Sequence, residues 1–244
     1  MASASLCPEG YRWIFFDLFD TLCLVDEGTY FEAKEESAKA AGVSLDTFMK
    51  AWRSTSEESS RGWIRTPFDR AVTTLAYLGI EDRMLASGIA SVEIEALQEC
   101  VGFYDGATEA LDRFRERGFS LGLISNATPT TAFLVSRLHL RERLDRLTFS
   151  FQAGAMKPEP AIYEAALRGI EAPPDHCLFV ADGASGELDG ATEAGLGTVW
   201  MDHPVKATRL RGEGPSPASD HPRVADFGEL LSLTELQAPR DFPP

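Results

Sequence analysis

The sequence predicts an α/β fold, a doubly wound and largely parallel sheet with an α-helical bundle inserted after its first strand. Three observations carry this expectation. Trp13-Ile14-Phe15-Phe16 is an uninterrupted apolar run ending in Asp17, as in a strand covered on both faces. From about Glu27 to Phe103 the pattern is helical, with hardly a strand signal. From Tyr104 onward strand-like and helical runs alternate, which implies parallel strands joined by right-handed crossovers.

Each element has a local reason. In the insert, Ser44 is an N-cap for a helix that places Leu45, Phe48, Met49 and Trp52 on one face. Thr66-Pro67-Phe68-Asp69 combines an N-cap, a proline at the first helical position and an early acid. The helix it starts turns Phe68, Val72, Leu75 and Leu78 inward and stops at Gly79. A third run comprises Ile89, Val92, Ala96, Leu97, Cys100 and Val101. After Tyr104, a helix from Ala107 to Arg117 ends at Gly118, and Phe119 to Ser125 is a second buried strand. Thr131 to Leu138 reads as helix and Leu147 to Phe151 as a third strand. Pro160 to Arg168 is a helix stopped by Gly169, with Cys177 to Ala181 the fourth strand. Leu188 to Ala194 is helical and Thr198 to Met201 the fifth strand. Arg211 to Pro222 is expected as loop, and Pro239 to Pro244 as a frayed end. The expected division is residues 1–25 with 104–244 for the sheet, and 26–103 for the bundle.

Composition narrows the function. The 244 residues, 44% hydrophobic and 25% charged, suffice for a sizeable core. A formal charge of −15 argues against nucleic acid and anionic membrane surfaces as partners, because little would displace counterions from phosphates. No apolar run approaches the ~20 residues of a membrane span. The opening residues lack the basic and apolar regions of a signal peptide. Cys7, Cys23, Cys100 and Cys177 have no metal-binding spacing, so small thiols in a reducing cytoplasm are expected.

Four polar clusters fall where strands finish: Asp17 with Asp20 and Thr21, Ser125 with Asn126, Lys157 before Pro158, and Asp182 with Glu187. Singly, each has an ordinary reading as an Asx-turn, a helix cap or a solvated lysine. Together they are harder to dismiss. Carboxylates gathered at one sheet edge repel unless a cation intervenes, and a hard divalent ion suits such oxygens. Lysine and serine donors then suit a phosphoryl group.

In order and spacing these clusters resemble the four motifs of the haloacid dehalogenase-like hydrolase superfamily. Asp17-Leu18-Phe19-Asp20-Thr21 is similar to its first motif, Leu123-Ile124-Ser125-Asn126 to the second, Lys157-Pro158-Glu159-Pro160 to the third, and Val180 to Glu187 to the fourth. The resemblance covers about residues 12 to 202, and the helical insert lies where the family's subfamily I has a C1 cap. It implies a Rossmann-like core and a set of roles. Asp17 would be the nucleophile and Ser125 a donor to the transferring group. Lys157 would neutralise charge and orient Asp17, while Thr21 orients the loop. Mg²⁺ would be held by Asp17, the Phe19 carbonyl and Asp182, with Glu187 supporting its water shell. Phe19 and Asn126 would border the substrate.

The resemblance breaks at Phe19, where phosphatases of the family carry a second Asp that protonates the leaving group and activates water. Such acid–base help is typically worth ~10²–10⁴-fold. Three readings stay open: a Mg²⁺-dependent phosphohydrolase without that acid, a metal-independent 2-haloacid dehalogenase, or a degenerate member that only binds. Dehalogenases of the family have an aromatic residue at the Phe19 position and a tyrosine matching Tyr163, which is equally a packed helix residue. They have serine where this chain has Asp182, so phosphoryl chemistry is preferred. Phosphonate hydrolysis also tolerates loss of the second acid but needs a cap lysine, and no motif singles out Lys34, Lys39 or Lys50. The expected substrate is a small anion, with Arg53, Arg61 and Arg65 as candidates to meet its second charged group, on a monomer or homodimer.

Overall fold

A computed structural model describes residues 10–207 and 221–235. Strand β1 (Trp13–Phe16) lies inside a six-stranded parallel sheet, flanked by β4 (Ser120–Ser125) and β6 (Cys177–Ala181). Beyond β4 lies β5 (Arg146–Phe149); beyond β6 lie β7 (Gly197–Met201) and β8 (Arg223–Val224). The central place of β1 follows from its sequence. Ile14 and Phe16 enter one apolar cluster while Phe15 enters another, one on each face, as period-two side chains of a doubly covered strand must.

The helices of the insert are α1 (Glu27–Ala40), α2 (Leu45–Ser54), α3 (Ser56–Ser60), α4 (Pro67–Tyr77) and α5 (Arg83–Cys100). All but α3 contribute to an apolar cluster of their own, built on Phe48, Trp52, Leu75 and Ile89. Their starts obey local chemistry: Ser44 accepts from the Thr47 amide at 3.2 Å and Thr66 from the Asp69 amide at 3.0 Å, with Pro67 at the first turn.

Several expectations need correction. Val101 does not extend the helical run. Val101–Phe103 (β3) pairs antiparallel with Cys23–Val25 (β2), so the two chain crossings into and out of the insert form a ribbon. The helical spacing of Ile89, Ala96 and Cys100 ran on into a β-branched residue that prefers extended backbone. The strand expected at Leu147 to Phe151 ends at Phe149 and gives way to a one-turn helix, Ser150–Ala153. Helix α7 (Ala132–Arg137) is preceded by a 3₁₀ turn at Pro129–Thr131. The sixth strand and a final helix, Phe227–Glu235, went unanticipated, the strand being two residues long. The expected frayed end at Pro239 to Pro244, and the expected loop apart from His221 and Pro222, lie outside the described residues. No helix among the described residues is long and apolar enough to cross a membrane.

The sheet tolerates no extra carbon at Gly122. It sits opposite Phe15 in register, and a Cβ there would lie 2.4 Å from the Phe15 ring. Gly122→Ala should therefore destabilise the protein by about 1–3 kcal/mol through overpacking. A urea titration measures this, and an unchanged midpoint would mean that the ring moves aside freely.

Candidate active site

The parallel register of β1 with β4 and β6 sets the carboxyl ends of three strands side by side. Asp17, Ser125 and Asp182 sit at those ends, as open α/β sheets place their ligand-binding residues. The loop after β1 is tight: the Leu22 and Cys23 amides both donate to the Leu18 carbonyl. Asp20 takes the left-handed conformation at φ 59°, which Asp accepts more readily than most residues. Its Oδ1 accepts from the Ala207 amide at 3.1 Å, so Asp20 is buried as an anchor of the loop. His203 donates through Nε2 to the Thr21 carbonyl at 3.0 Å and stacks on Tyr104 at 3.8 Å between ring centroids. Burial holds the His203 pKa below its ordinary value, although the Thr21 carbonyl favours the proton.

Lys157 is the centre of the cluster. Its Nζ donates to Asp17 Oδ1 at 2.5 Å and to Glu187 Oε2, and all three side chains are at least nine-tenths buried. Burial opposes the ammonium charge, but Asp17 and then Glu187 outweigh it and keep the Lys157 pKa above its usual value. Glu187 is pushed up, first by burial and then by Asp17 and Asp182, against the pull of Lys157. Its other oxygen accepts from the Gly183 amide at 3.1 Å, and its carbonyl accepts from the Tyr163 hydroxyl at 2.7 Å. Tyr163 is thus a fully buried brace for the start of α11 (Glu187–Glu193).

The oxygens of Asp17, Asp182 and Glu187 lie within 4.8 Å of one another. At that spacing and an effective dielectric near 20, each unneutralised carboxylate pair repels by about 3 kcal/mol. Lys157 bonds two of the three, Asp17 and Glu187. The donor set is all hard oxygen, so these residues fit a divalent cation such as Mg²⁺. Among the described residues the fully buried hydroxyls of Ser125 and Thr21 have no hydrogen-bond partner, a further sign that the site is built around a bound group.

Asn126, expected to border the substrate, also binds the backbone of Lys157. Its amide nitrogen donates to the Lys157 carbonyl at 3.0 Å and its Oδ1 accepts from the Lys157 amide at 2.8 Å, clamping the lysine's backbone. Gly190 supports the same loop from below, since a Cβ there would lie 2.7 Å from Pro158. The expected arginines do not reach the cluster. Arg53 and Arg65 are exposed, and Arg61 forks onto Glu159 at 2.6 and 3.2 Å and onto Glu57 at 2.9 Å.

A cavity of about 140 Å³ opens beside the cluster rather than on it. It is lined by Phe19 and Asn126 on the sheet side and by Tyr30, Lys34, Trp52, Arg70 and Glu93 from the helices. Lys34 bonds to Glu93 Oε2, and its Nζ lies 3.9 Å from the Trp52 ring centroid, while Arg70 lies 4.0 Å from the same ring. Sequence reasoning missed Arg70 and Glu93 and could not separate Lys34 from Lys39 and Lys50, which are exposed. Burial of a charged residue is visible only once its partner, 59 positions away in this case, is in place.

The parallel sheet thus carries a buried carboxylate at the end of its central strand, with a lysine held against it. The haloacid dehalogenase-like hydrolase family model matches residues 11–195, and the chain belongs to that family. It is 30% identical over 99 residues to the glyceraldehyde 3-phosphate phosphatase of Pyrococcus abyssi, covering 40% of this chain and 42% of that one. It is 35% identical over 130 residues to enolase-phosphatase E1 of Methylococcus capsulatus, covering 52% of each. The chain thus spans about half or less of the length of these relatives. Human haloacid dehalogenase-like hydrolase domain-containing protein 3 matches over 203 residues at 27% identity, 76% of this chain and 79% of that protein. Among solved structures, a phosphatase from Thermococcus onnurineus superposes with a TM-score of 0.65 at 16% identity, over 94% of this chain and all of that one. The L-2-haloacid dehalogenase of Xanthobacter autotrophicus, with chloropropionic acid bound, gives 0.64 at 18% identity, over 92% and 98%. At such identities the two structures share the fold alone with this chain.

The clamp on Lys157 can be tested by itself. Asn126→Ala removes two hydrogen bonds from a partly buried backbone and should lower unfolding free energy by about 1–3 kcal/mol. Equilibrium denaturation reads the change, and wild-type stability would show that the loop holds without the amide.

Proposed function

We propose that this hydrolase releases phosphate from a small phosphorylated metabolite through a covalent intermediate on Asp17, with Mg²⁺ as cofactor. The observation that carries the reading is the excess of carboxylates over ammonium among Asp17, Asp182, Glu187 and Lys157. Such a cluster suits a cation, and would repel a haloacid approaching without one. Phosphatase names among the curated relatives support the same class of chemistry.

In this reading Lys157 takes Asp17 Oδ1, leaving Oδ2 to attack phosphorus. The bond from phosphorus to the leaving oxygen breaks as the aspartyl phosphate forms. Water then attacks the phosphoryl group, returning the carboxylate and releasing inorganic phosphate. Lys157 and the Ser125 hydroxyl stabilise charge on the phosphoryl oxygens, and the Thr21 hydroxyl steadies the loop. Asp17, Asp182 and the Phe19 carbonyl would hold Mg²⁺, with Glu187 behind them, and the ion would supply further neutralisation of phosphoryl charge. Residues 26–103 act as the cap that shelters the crevice from water. Phe19 carries no proton to give, so aryl and acyl phosphates, whose leaving groups depart without one, turn over faster than alkyl phosphates, which the site cleaves slowly.

Purified protein should release phosphate from 4-nitrophenyl phosphate and acetyl phosphate, and lose that activity with EDTA. Asp17→Asn should lower it by about 10³-fold or more. Activity that ignores the chelator or survives Asp17→Asn would overturn the reading, and halide release from 2-chloropropionate in EDTA would establish dehalogenation instead. Phe19→Asp should raise turnover of alkyl phosphates by ~10²–10⁴-fold. An unchanged rate there would show that the missing acid is not what limits the site.

A further inference from the structure

The cavity beyond Phe19 has an electrostatic character opposite to that of the carboxylate cluster. Two cations, Lys34 and Arg70, line it with one carboxylate, Glu93, and all three are at least nine-tenths buried. This positive excess sits inside a chain whose formal charge is −15. Buried charge persists only where something compensates it. Glu93 Oε2 compensates Lys34, and Glu93 Oε1 has no hydrogen-bond partner among the described residues. The hydrogen bonds of Arg70 within the described residues go to neutral oxygens: Nε to Thr55 Oγ1 at 3.1 Å and Nη2 to Ser56 Oγ at 3.1 Å and the Trp52 carbonyl at 3.4 Å. Those bonds aim the guanidinium without neutralising it. Neither Nη1 of Arg70 nor the remaining protons of Lys34 are used in a hydrogen bond within the described residues. Burial lowers the Lys34 pKa to about 8, against the pull of Glu93, which leaves the ammonium charged near neutrality.

We propose that this cavity recognises a carboxylate at the end of the substrate remote from the phosphoryl group. Arg70 and Lys34 would bind the carboxylate, and Glu93 would accept a hydrogen bond from an adjacent hydroxyl. The substrate class is thus a short phosphorylated hydroxy acid. Size agrees, because a cavity near 150 Å³ holds a group about as large as benzene, room for a carboxylate with two or three carbons. Tyr30, Trp52 and Phe19 supply the flat walls against such a chain. The inference rests on the phosphoryl reading for its reacting end and on the cavity for the other.

The test uses a matched pair, 3-phosphoglycerate and glycerol 3-phosphate, which differ in the carboxylate. The ratio of their kcat/KM values should favour 3-phosphoglycerate by at least about tenfold, the scale of one charge-assisted hydrogen bond. Arg70→Gln should collapse that ratio, chiefly by raising the Michaelis constant for the carboxylate-bearing member of the pair. Arg70 also braces Thr55 and Ser56, so the double variant Lys34→Met with Glu93→Gln, which removes the ion pair as a unit, provides a second route to the same loss. Equal kcat/KM values in the wild type, or a ratio untouched by both variants, would overturn the proposal. Equilibrium titration with glycerate and glycerol separates this inference from the phosphatase reading. Tighter binding of glycerate that Arg70→Gln abolishes upholds the cavity assignment even if no phosphate is released. Equal binding of the two refutes it even if 4-nitrophenyl phosphate is hydrolysed.

Discussion

Lys157 bonds together parts of the chain that are far apart in sequence. Its ammonium touches Asp17, 140 residues earlier, and Glu187, 30 residues later, in a setting from which water is almost excluded. Desolvating three charged groups is costly, and removing one partner from such an arrangement commonly costs about 3–5 kcal/mol because the others stay buried and unpaired. The surrounding structure is arranged to keep them together. Asn126 fixes the lysine's backbone, Gly190 lets Pro158 approach helix α11, and Tyr163 holds the carbonyl of Glu187. These contacts come from the turn after β4, from α11 and from the helix Pro160–Leu167, so the ion pair depends on β1, β4 and β6 being in register.

Two groups of buried charge with opposite balance meet at the loop that carries Asp17 and Phe19. The strand-end cluster has more carboxylates than cations, and the neighbouring cavity has more cations than carboxylates. Phe19 lines that cavity two residues after Asp17 and adds no charge to either group.

Most of the strand-end cluster was legible in the sequence because each member interrupts an apolar run. Asp17 follows Trp13 to Phe16, Asp182 follows Cys177 to Ala181, and Ser125 closes a strand of small and aliphatic residues. A parallel sheet converts those three interruptions into neighbours. The cavity residues follow no such rule. Arg70 and Glu93 sit in helices whose charged residues are mostly exposed, and nothing local marks these two as facing inward. Arg53 and Arg61 had the more suggestive surroundings, yet one lies in solvent and the other is claimed by Glu159. The ribbon at Val101 was hidden for a related reason. Its partner strand is three residues long and begins just after the loop that holds Asp17.

That ribbon has a mechanical consequence. The helices between Glu27 and Cys100 hang from two chain segments, and those segments are hydrogen-bonded to each other from Cys23 to Val25 and from Val101 to Phe103. Two separate tethers would let the helices twist and translate; a paired one resists shear and leaves bending across the ribbon as the easy deformation. The Arg61–Glu159 fork is a further connection, made two residues from Lys157. The helical segment is thus tied to the sheet through a paired ribbon at its base and through the loop that carries the lysine.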